Sequence, residues 1–328
     1  MRNPDGTVSR LSEFCGIPYP TFISIKGRLR SKNAYYKLNL PSIWDLGGDI
    51  ISFDLVFSPM IGMNGWKGSE ILRGYPYQVL ENSDMNTMIS VSVSPDYKNL
   101  LGWRARIINE LSRSGFPFSH EHMEFPCSGL RLYSFFDFTS ILEGELNLEC
   151  SDIKGAPAFS RSNPDVEISP TFHEVLRAML HRPHLNNREL AEYLGLSRQT
   201  INRFSRSARE ENLLHPVILP DVEILGYGIM GVFLIDLRGF DTEGILERLA
   251  GADDELRSRR FMNIYSTGKQ VIFTTHRDFD DYQRTRIHLE EIYDRFGFEG
   301  VEPLAAPIVL GIGERSPFFY LERMANMI

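Results

Sequence analysis

Asn187-Arg-Glu-Leu-Ala-Glu-Tyr-Leu-Gly-Leu-Ser197, followed at once by Arg198-Gln-Thr-Ile-Asn-Arg-Phe-Ser-Arg-Ser-Ala-Arg209, reads as helix, tight turn, helix. Leu190, Ala191 and Leu194 fall on one helical face, Gly195-Leu196 makes the turn, and Ser197 supplies the cap of the next helix. Upstream, Ser169-Pro170 pairs a cap residue with a proline at the first helical position. Phe172, Val175, Leu176, Met179 and Leu180 then recur at helical spacing up to Pro183. In the last of these three helices Ile201, Phe204 and Ala208 form the inward stripe. Arg198, Gln199, Asn202, Arg203, Arg206 and Arg209 point away from it. Those side chain types, with Thr200 beside them, can donate to and accept from base edges or phosphates in a major groove.

The same unit occurs twice. Sliding the chain by 179 positions aligns residues 9–47 with 188–226 without a gap, and ten of the 39 positions are identical, among them Gly16/Gly195, Asn33/Asn212 and Pro41/Pro220. The match resumes at an offset of 182, where Asp96, Arg104, Arg113, Gly115 and Phe116 meet Asp278, Arg286, Arg295, Gly297 and Phe298. At 183, Phe135 and Phe136 meet Phe318 and Phe319. Between the copies lies a stretch containing Ser, Pro and Gly, from about 143 to 168, which reads as a linker.

Charge is distributed unevenly. The chain carries −8 overall, yet residues 197–209 hold four arginines and no acid. In the first copy Lys26, Arg28, Arg30 and Lys32 stand between Pro18 and Asn33, again without an acid. Basic charge is therefore concentrated on the two expected recognition helices, where double-stranded DNA would lie. The copies are unequal readers. The inward stripe Phe22, Ile25 and Leu29 keeps the pattern of Ile201, Phe204 and Ala208, but Tyr19, Pro20, Ile23, Ser24 and Gly27 occupy the outward positions. Such a surface grips phosphate through its lysines and arginines and offers little readout of bases. The first copy also lacks the opening helix, whose counterpart would fall before Met1.

After the third helix, Val217-Ile218-Leu219 suggests a wing and residues 231–237 a strand. A helix near 242–249, strands near 260–265 and 270–275, a long helix near 279–296 and a strand near 301–310 complete β-α-β-β-α-β, a ferredoxin-like order. The long helix is expected to pack Phe279, Tyr282, Leu289, Ile292 and Phe296 on a sheet. The fold class is thus α+β, two winged helix-turn-helix units each followed by a ferredoxin-like domain. The expected boundaries are 1–45, 46–142, a linker at 143–168, 169–225 and 226–328.

At 328 residues with 42% hydrophobic and 24% charged content, the composition excludes disordered and collagen-like classes. No apolar run is long enough to span a bilayer and no signal peptide is evident, so a cytoplasmic protein without membrane partners is expected. Three cysteines without a CxxC spacing suggest reduced thiols, with Cys15 as core packing. Ser119-His-Glu-His122 with Cys127 offers candidate metal ligands. It lacks a completing ligand pair, so solvent-facing histidines and no metal are expected, and His276 and His288 read as surface residues. No Walker loop, nucleophile elbow or HExxH occurs, so neither a catalytic residue nor a cofactor is expected and the chain is read as not an enzyme.

Residues 187–197, then Asn212-Leu-Leu214 and Gly226-Tyr-Gly228 before a hydrophobic strand, resemble the Lrp/AsnC family of feast/famine transcription regulators. Ser266-Thr-Gly268 before a strand, and Gly300-Val-Glu-Pro303 ahead of Ile308-Val-Leu310, are similar to that family's RAM/ACT-like effector domain. The resemblance implies a DNA-binding regulator in duplicated form, pairing of the α/β domains as an internal pseudo-dimer or with a second chain, and a small effector such as an amino acid or metabolite near Thr267 and Gly268. The first copy has Asp84-Met-Asn-Thr87 in place of the Thr-Gly turn. Siroheme decarboxylases resemble the same family, some with two such units in one chain. The His-Asn-Tyr-Arg-like segment associated with them is not found, since the corresponding strand reads Asn263-Ile-Tyr-Ser-Thr-Gly268. That enzyme, and a protein-interaction module that has lost DNA binding, are the alternatives.

Overall fold

The computed structural model describes residues 9, 12–13, 16–42, 48–59, 61, 75, 78–113, 115–146, 168–238, 240, 254–266, 268–310 and 318–319. The first half contributes α1 (Tyr19–Ser31), β1 (Tyr35–Pro41), β2 (Ile50–Phe57), β3 (Gln78–Ser83), β4 (Thr87–Ser94), α2 (Tyr97–Arg113), β5 (Ser119–Pro126), β6 (Arg131–Ser134) and α3 (Thr139–Leu146). The second contributes α4 (Pro170–His181), α5 (Asn187–Leu194), α6 (Arg198–Glu210), β7 (Leu214–Pro220), β8 (Ile229–Asp236), the short α7 (Asp254–Arg257), β9 (Arg260–Ser266), β10 (Lys269–His276), α8 (Phe279–Arg295), β11 (Leu304–Val309) and β12 (Phe318–Phe319). The fold is α+β with antiparallel sheets. The strands and long helix expected in the second half appear close to their expected bounds, while the helix near 242–249 lies outside the described residues.

Each half builds four strands in the same spatial order, β5-β2-β4-β3 and β11-β8-β10-β9. The fifth strand of each sheet comes from the other half: β6 pairs with β9, and β12 with β3. One apolar core lies between the sheets. Ile51, Phe53 and Leu55 of β2 and Phe125 of β5 share it with Val232, Leu234, Val271 and Phe273 of the second sheet. The helices cover the outer faces. Trp103, Ile107 and Leu111 of α2 pack on Val56 and Met88, and Tyr282, Leu289 and Ile292 of α8 pack on Phe233, Ile235 and Ile272. Phe279, expected on that face, is instead 52% exposed. A strand buried on both faces must be apolar nearly throughout, which is how β8 reads in sequence.

Gly231 sits where nothing larger fits, since a Cβ there would meet Thr274 Oγ1 at 2.6 Å and His276 Nε2 at 2.9 Å. Residues 139–146 form a helix that crosses onto the second sheet, so helix persists into the start of the expected linker.

The strand expected to begin a wing takes its partner from the other copy. β7 pairs antiparallel with β1, and Leu38 lies opposite Val217, its own counterpart under the 179-residue offset. The ribbon is therefore self-complementary about that pair, as a two-fold relation between the copies requires. Asn33 and Asn212, also counterparts, carry φ of +52° and +57° at the turns leading into it, a conformation asparagine tolerates better than most residues.

Candidate nucleic-acid interface and ligand cavities

The second helix-turn-helix is held by local devices legible in its residues. Ser169 accepts from Phe172 N at 3.3 Å to cap α4. Asn186 and Glu189 form a reciprocal capping box on α5. Gly195, at φ +65°, ends α5 in the left-handed region, and Ser197 accepts from Thr200 N at 3.1 Å to start α6. Each such cap contributes about 1 kcal/mol. Ile201, Ser205 and Ala208 are buried against α4 and α5, and Phe204 stacks on Phe172 with centroids 4.9 Å apart.

The opposite face of α6 is open. Arg198, Gln199, Asn202, Arg203, Arg206 and Arg209 are exposed and Thr200 is half-buried at the helix start. The Arg203 guanidinium lies over the Phe204 ring at 4.8 Å, which braces its stem against the helix. Asn202 Oδ1 accepts from Asn187 Nδ2 at 2.8 Å, leaving its own amide hydrogens to donate outward.

In the first copy, Lys26, Arg28, Arg30 and Lys32 are all exposed on or just after α1. The inward stripe expected there is not closed over. Phe22 and Ile25 are only half-buried and Leu29 is 39% exposed, because no counterpart of α4 lies on this helix among the described residues. Tyr19 and Ile23 are exposed as well, and α1 has no side chain cap. Cys15 lies outside the described residues, as does Cys150, whereas Cys127 is buried, with burial pushing its thiol up to about 12.

Two cavities have no signal in the sequence. One, about 640 Å³, lies where the β1·β7 ribbon meets the sheets and draws Leu38, Leu80 and Phe138 from the first half and Leu219, Met230 and Phe261 from the second. The other, about 410 Å³, lies where α3 rests on the second sheet and is lined by charge. Arg277 Nη2 donates to both oxygens of Glu145 at 2.8 and 2.9 Å, and Tyr227 donates to Glu145 at 2.7 Å. Arg259 and Arg284 donate to Asp281. Burial, the largest single influence, opposes ionisation of Asp281, but the hydrogen bonds from Arg259, the Arg277 backbone N–H and Arg284, together with the Arg259 charge, outweigh it and hold the carboxyl below its usual value. Gly268 lines neither cavity. It turns the β9–β10 hairpin at φ +75°, its N–H donating to Tyr265 Oη at 3.0 Å, and Thr267 lies outside the described residues.

Two histidine expectations are corrected. His276 is fully buried, its Nε2 2.6 Å from Thr274 Oγ1. Its strand, β10, is enclosed by a sheet neighbour on each side and by α8. His120 does share a strand face with His122, their rings 5.7 Å apart, but it is turned inward onto Asp54 at 3.0 Å. The alternation Ser52-Asp54, Ser90-Ser92-Ser94 and His120-His122-Glu124 was the signal for this polar face. No helix among the described residues is long and apolar enough to cross a membrane.

No protein-family model and no curated protein sequence matches the chain. Among solved structures, the siroheme decarboxylase NirDL is similar over 97% of this chain and 90% of its own, at 9% identity and a TM-score of 0.49. A Neisseria meningitidis transcriptional regulator, NMB0573, in complex with L-Met, covers 46% of this chain and 95% of its own at 15% identity and a TM-score of 0.35. AsnC of E. coli covers 46% and 97% at 17% identity and a TM-score of 0.32. The expectation that the chain is not an enzyme is corrected here, because a structure that matches it almost end to end is that of an enzyme. The likeness to both kinds of protein lies in the fold.

Proposed function

We propose that the chain is a sequence-specific DNA-binding transcription regulator in which α6 reads bases and α1 holds phosphate. The observation that carries this reading is the row Arg198, Gln199, Asn202, Arg203, Arg206 and Arg209, exposed together on one face of a doubly capped helix-turn-helix with no acid among them. The ribbon that joins the copies about Leu38 and Val217 gives one chain the two heads that a symmetric regulator takes from two. The effector reading of the second α/β domain rests on the charged 410 Å³ cavity, whose arginines and carboxylates suit a small zwitterion such as an amino acid, rather than on Thr267 and Gly268. Fluorescence anisotropy with genomic duplexes at several salt concentrations tests the main reading. A specific site bound at least about a thousandfold more tightly than scrambled DNA is expected, and equal affinity for all sequences refutes it.

A second reading is favoured by the 640 Å³ cavity, which is built from both halves and is large enough for a sizeable ligand. Siroheme is the compound to assay there, given the activity of the structurally similar NirDL. Retention of a tetrapyrrole absorbance band after gel filtration supports this reading. Its absence at saturating siroheme rules it out.

A further inference from the structure

Beneath α2, the outer face of the first sheet carries charge where the second sheet carries hydrocarbon. Asp54 has Ser90 and His122 as cross-strand neighbours. At the same node of the second sheet Phe233 is flanked by Ile272 and Ala305, and there the helix closes on a dry core. The fold is therefore satisfied by apolar residues at this node. Burying ions costs solvation that their pairing seldom returns in full, so packing does not explain the charges in the first sheet.

The geometry of these groups has a direction. Arg104, on α2 and 5% exposed, donates through Nε to Asp54 Oδ1 at 2.8 Å and through Nη1 to Glu124. Asp54 also takes His120 Nε2 at 3.0 Å and the Ser52 hydroxyl at 3.1 Å. Both carboxylates are thus engaged in orienting Arg104 and His120. What remains is Arg104 Nη2, a buried donor with no acceptor. His120 Nδ1 is left as the ring's second polar atom, and His122 stands half-exposed on the sheet edge, its Nε2 3.9 Å from Glu124. Buried donors are almost always matched, so an unmatched nitrogen on the guanidinium that shares Asp54 with His120 and Glu124 with His122 marks a place for an acceptor. With Arg104 between the carboxylates, and no group of three or more His, Cys, Asp or Glu among the described residues placed to hold a metal ion, the acceptor is an anion rather than a cation's ligand shell.

We infer that Arg104 Nη2, His120 and His122 form an oxyanion site entered along β5, which takes the carboxylate or phosphate group of a small metabolite. Guanidinium and imidazole together are suited to such a group because both offer planar N–H donors. The charged groups facing the site are Arg104 from α2, Asp54 from β2 and Glu124 from β5, with Glu81 of β3 two strands further away. Burial, with the nearby Arg104 charge, holds the His122 imidazole below its ordinary pKa, so His122 meets the anion as a neutral N–H donor.

Imidazole nitrogen NMR of the full-length chain, titrated separately with inorganic phosphate and with acetate, tests this. Saturable shifts of both rings are expected with at least one of the anions, and which one acts separates the phosphate source from the carboxylate source. His122→Ala leaves the Arg104, Asp54 and Glu124 pairing in place and is expected to weaken that binding about tenfold. A second variant, Asp54→Phe with Ser90→Ile and His122→Ala, installs the residues of the second sheet and is expected to abolish it. Rings unmoved by either anion, or undiminished affinity in His122→Ala, overturn the assignment and leave Nη2 to water.

Discussion

Phe53 is one of the rings that join the two halves of the chain. It is fully buried, meets Phe125 edge-on at 5.5 Å and reaches Phe273 of the opposite sheet at 5.9 Å. Truncation to alanine removes a ring from a fully buried position and should cost about 3–5 kcal/mol. That is a large part of the roughly 5–15 kcal/mol that holds a domain folded. Leucine is the better probe. Phe53→Leu and Phe273→Leu each keep most of the apolar volume, while the double variant reports the ring contact itself, worth about 0.5–1.5 kcal/mol beyond area. Urea unfolding followed by fluorescence and by circular dichroism gives the four stabilities of the cycle. A coupling in that range, within one unfolding transition, is expected if the halves share a core. Additivity to within about 0.3 kcal/mol, with two separate transitions, refutes it. Co-expressed fragments cut near residue 160 should likewise purify together.

Gly231→Ala forces a methyl against Thr274 Oγ1 and His276 Nε2, and a loss of about 1–3 kcal/mol is expected in the same assay. Ser197→Ala removes the side chain acceptor at the start of α6, with an expected loss of about 1 kcal/mol, measured by thermal unfolding. Burial pushes the His276 imidazole down to about 4, so the folded chain keeps it neutral while the unfolded chain takes up a proton near pH ~6.5. Its contribution is therefore complete above that pH and is lost as the pH falls from about 6.5 towards 4, by about 3 kcal/mol. In His276→Gln that part of the stability profile should flatten. An unchanged slope between those pH values counts against the buried neutral ring.

The second helix-turn-helix was legible because its caps, turn and stripes are local. Asn186, Gly195 and Ser197 each do in the structure what their residue type suggests. The ferredoxin-like order was legible from the period of β8 to β11 for the same reason. What joins the copies was not. Nothing local in Leu214–Pro220 says that its partner is Tyr35–Pro41, or that β6 and β12 complete the sheets of opposite halves. The burial of His120 and His276 depends on cross-strand neighbours distant in sequence. Leu29 failed as a core residue because its periodicity describes a face, while burial depends on a helix to cover it.

Competition binding of Asn202→Ala and Arg28→Ala, on a specific duplex and a scrambled one over a series of salt concentrations, tests the division of labour between the copies most directly. Asn202→Ala is expected to cost about 1–3 kcal/mol on the specific duplex, with little change on the scrambled one. Arg28→Ala is expected to weaken both duplexes alike and to lower the salt slope by about one. Equal losses on both duplexes from Asn202→Ala, or altered sequence preference from Arg28→Ala, would contradict the assignment of α6 as reader and α1 as clamp.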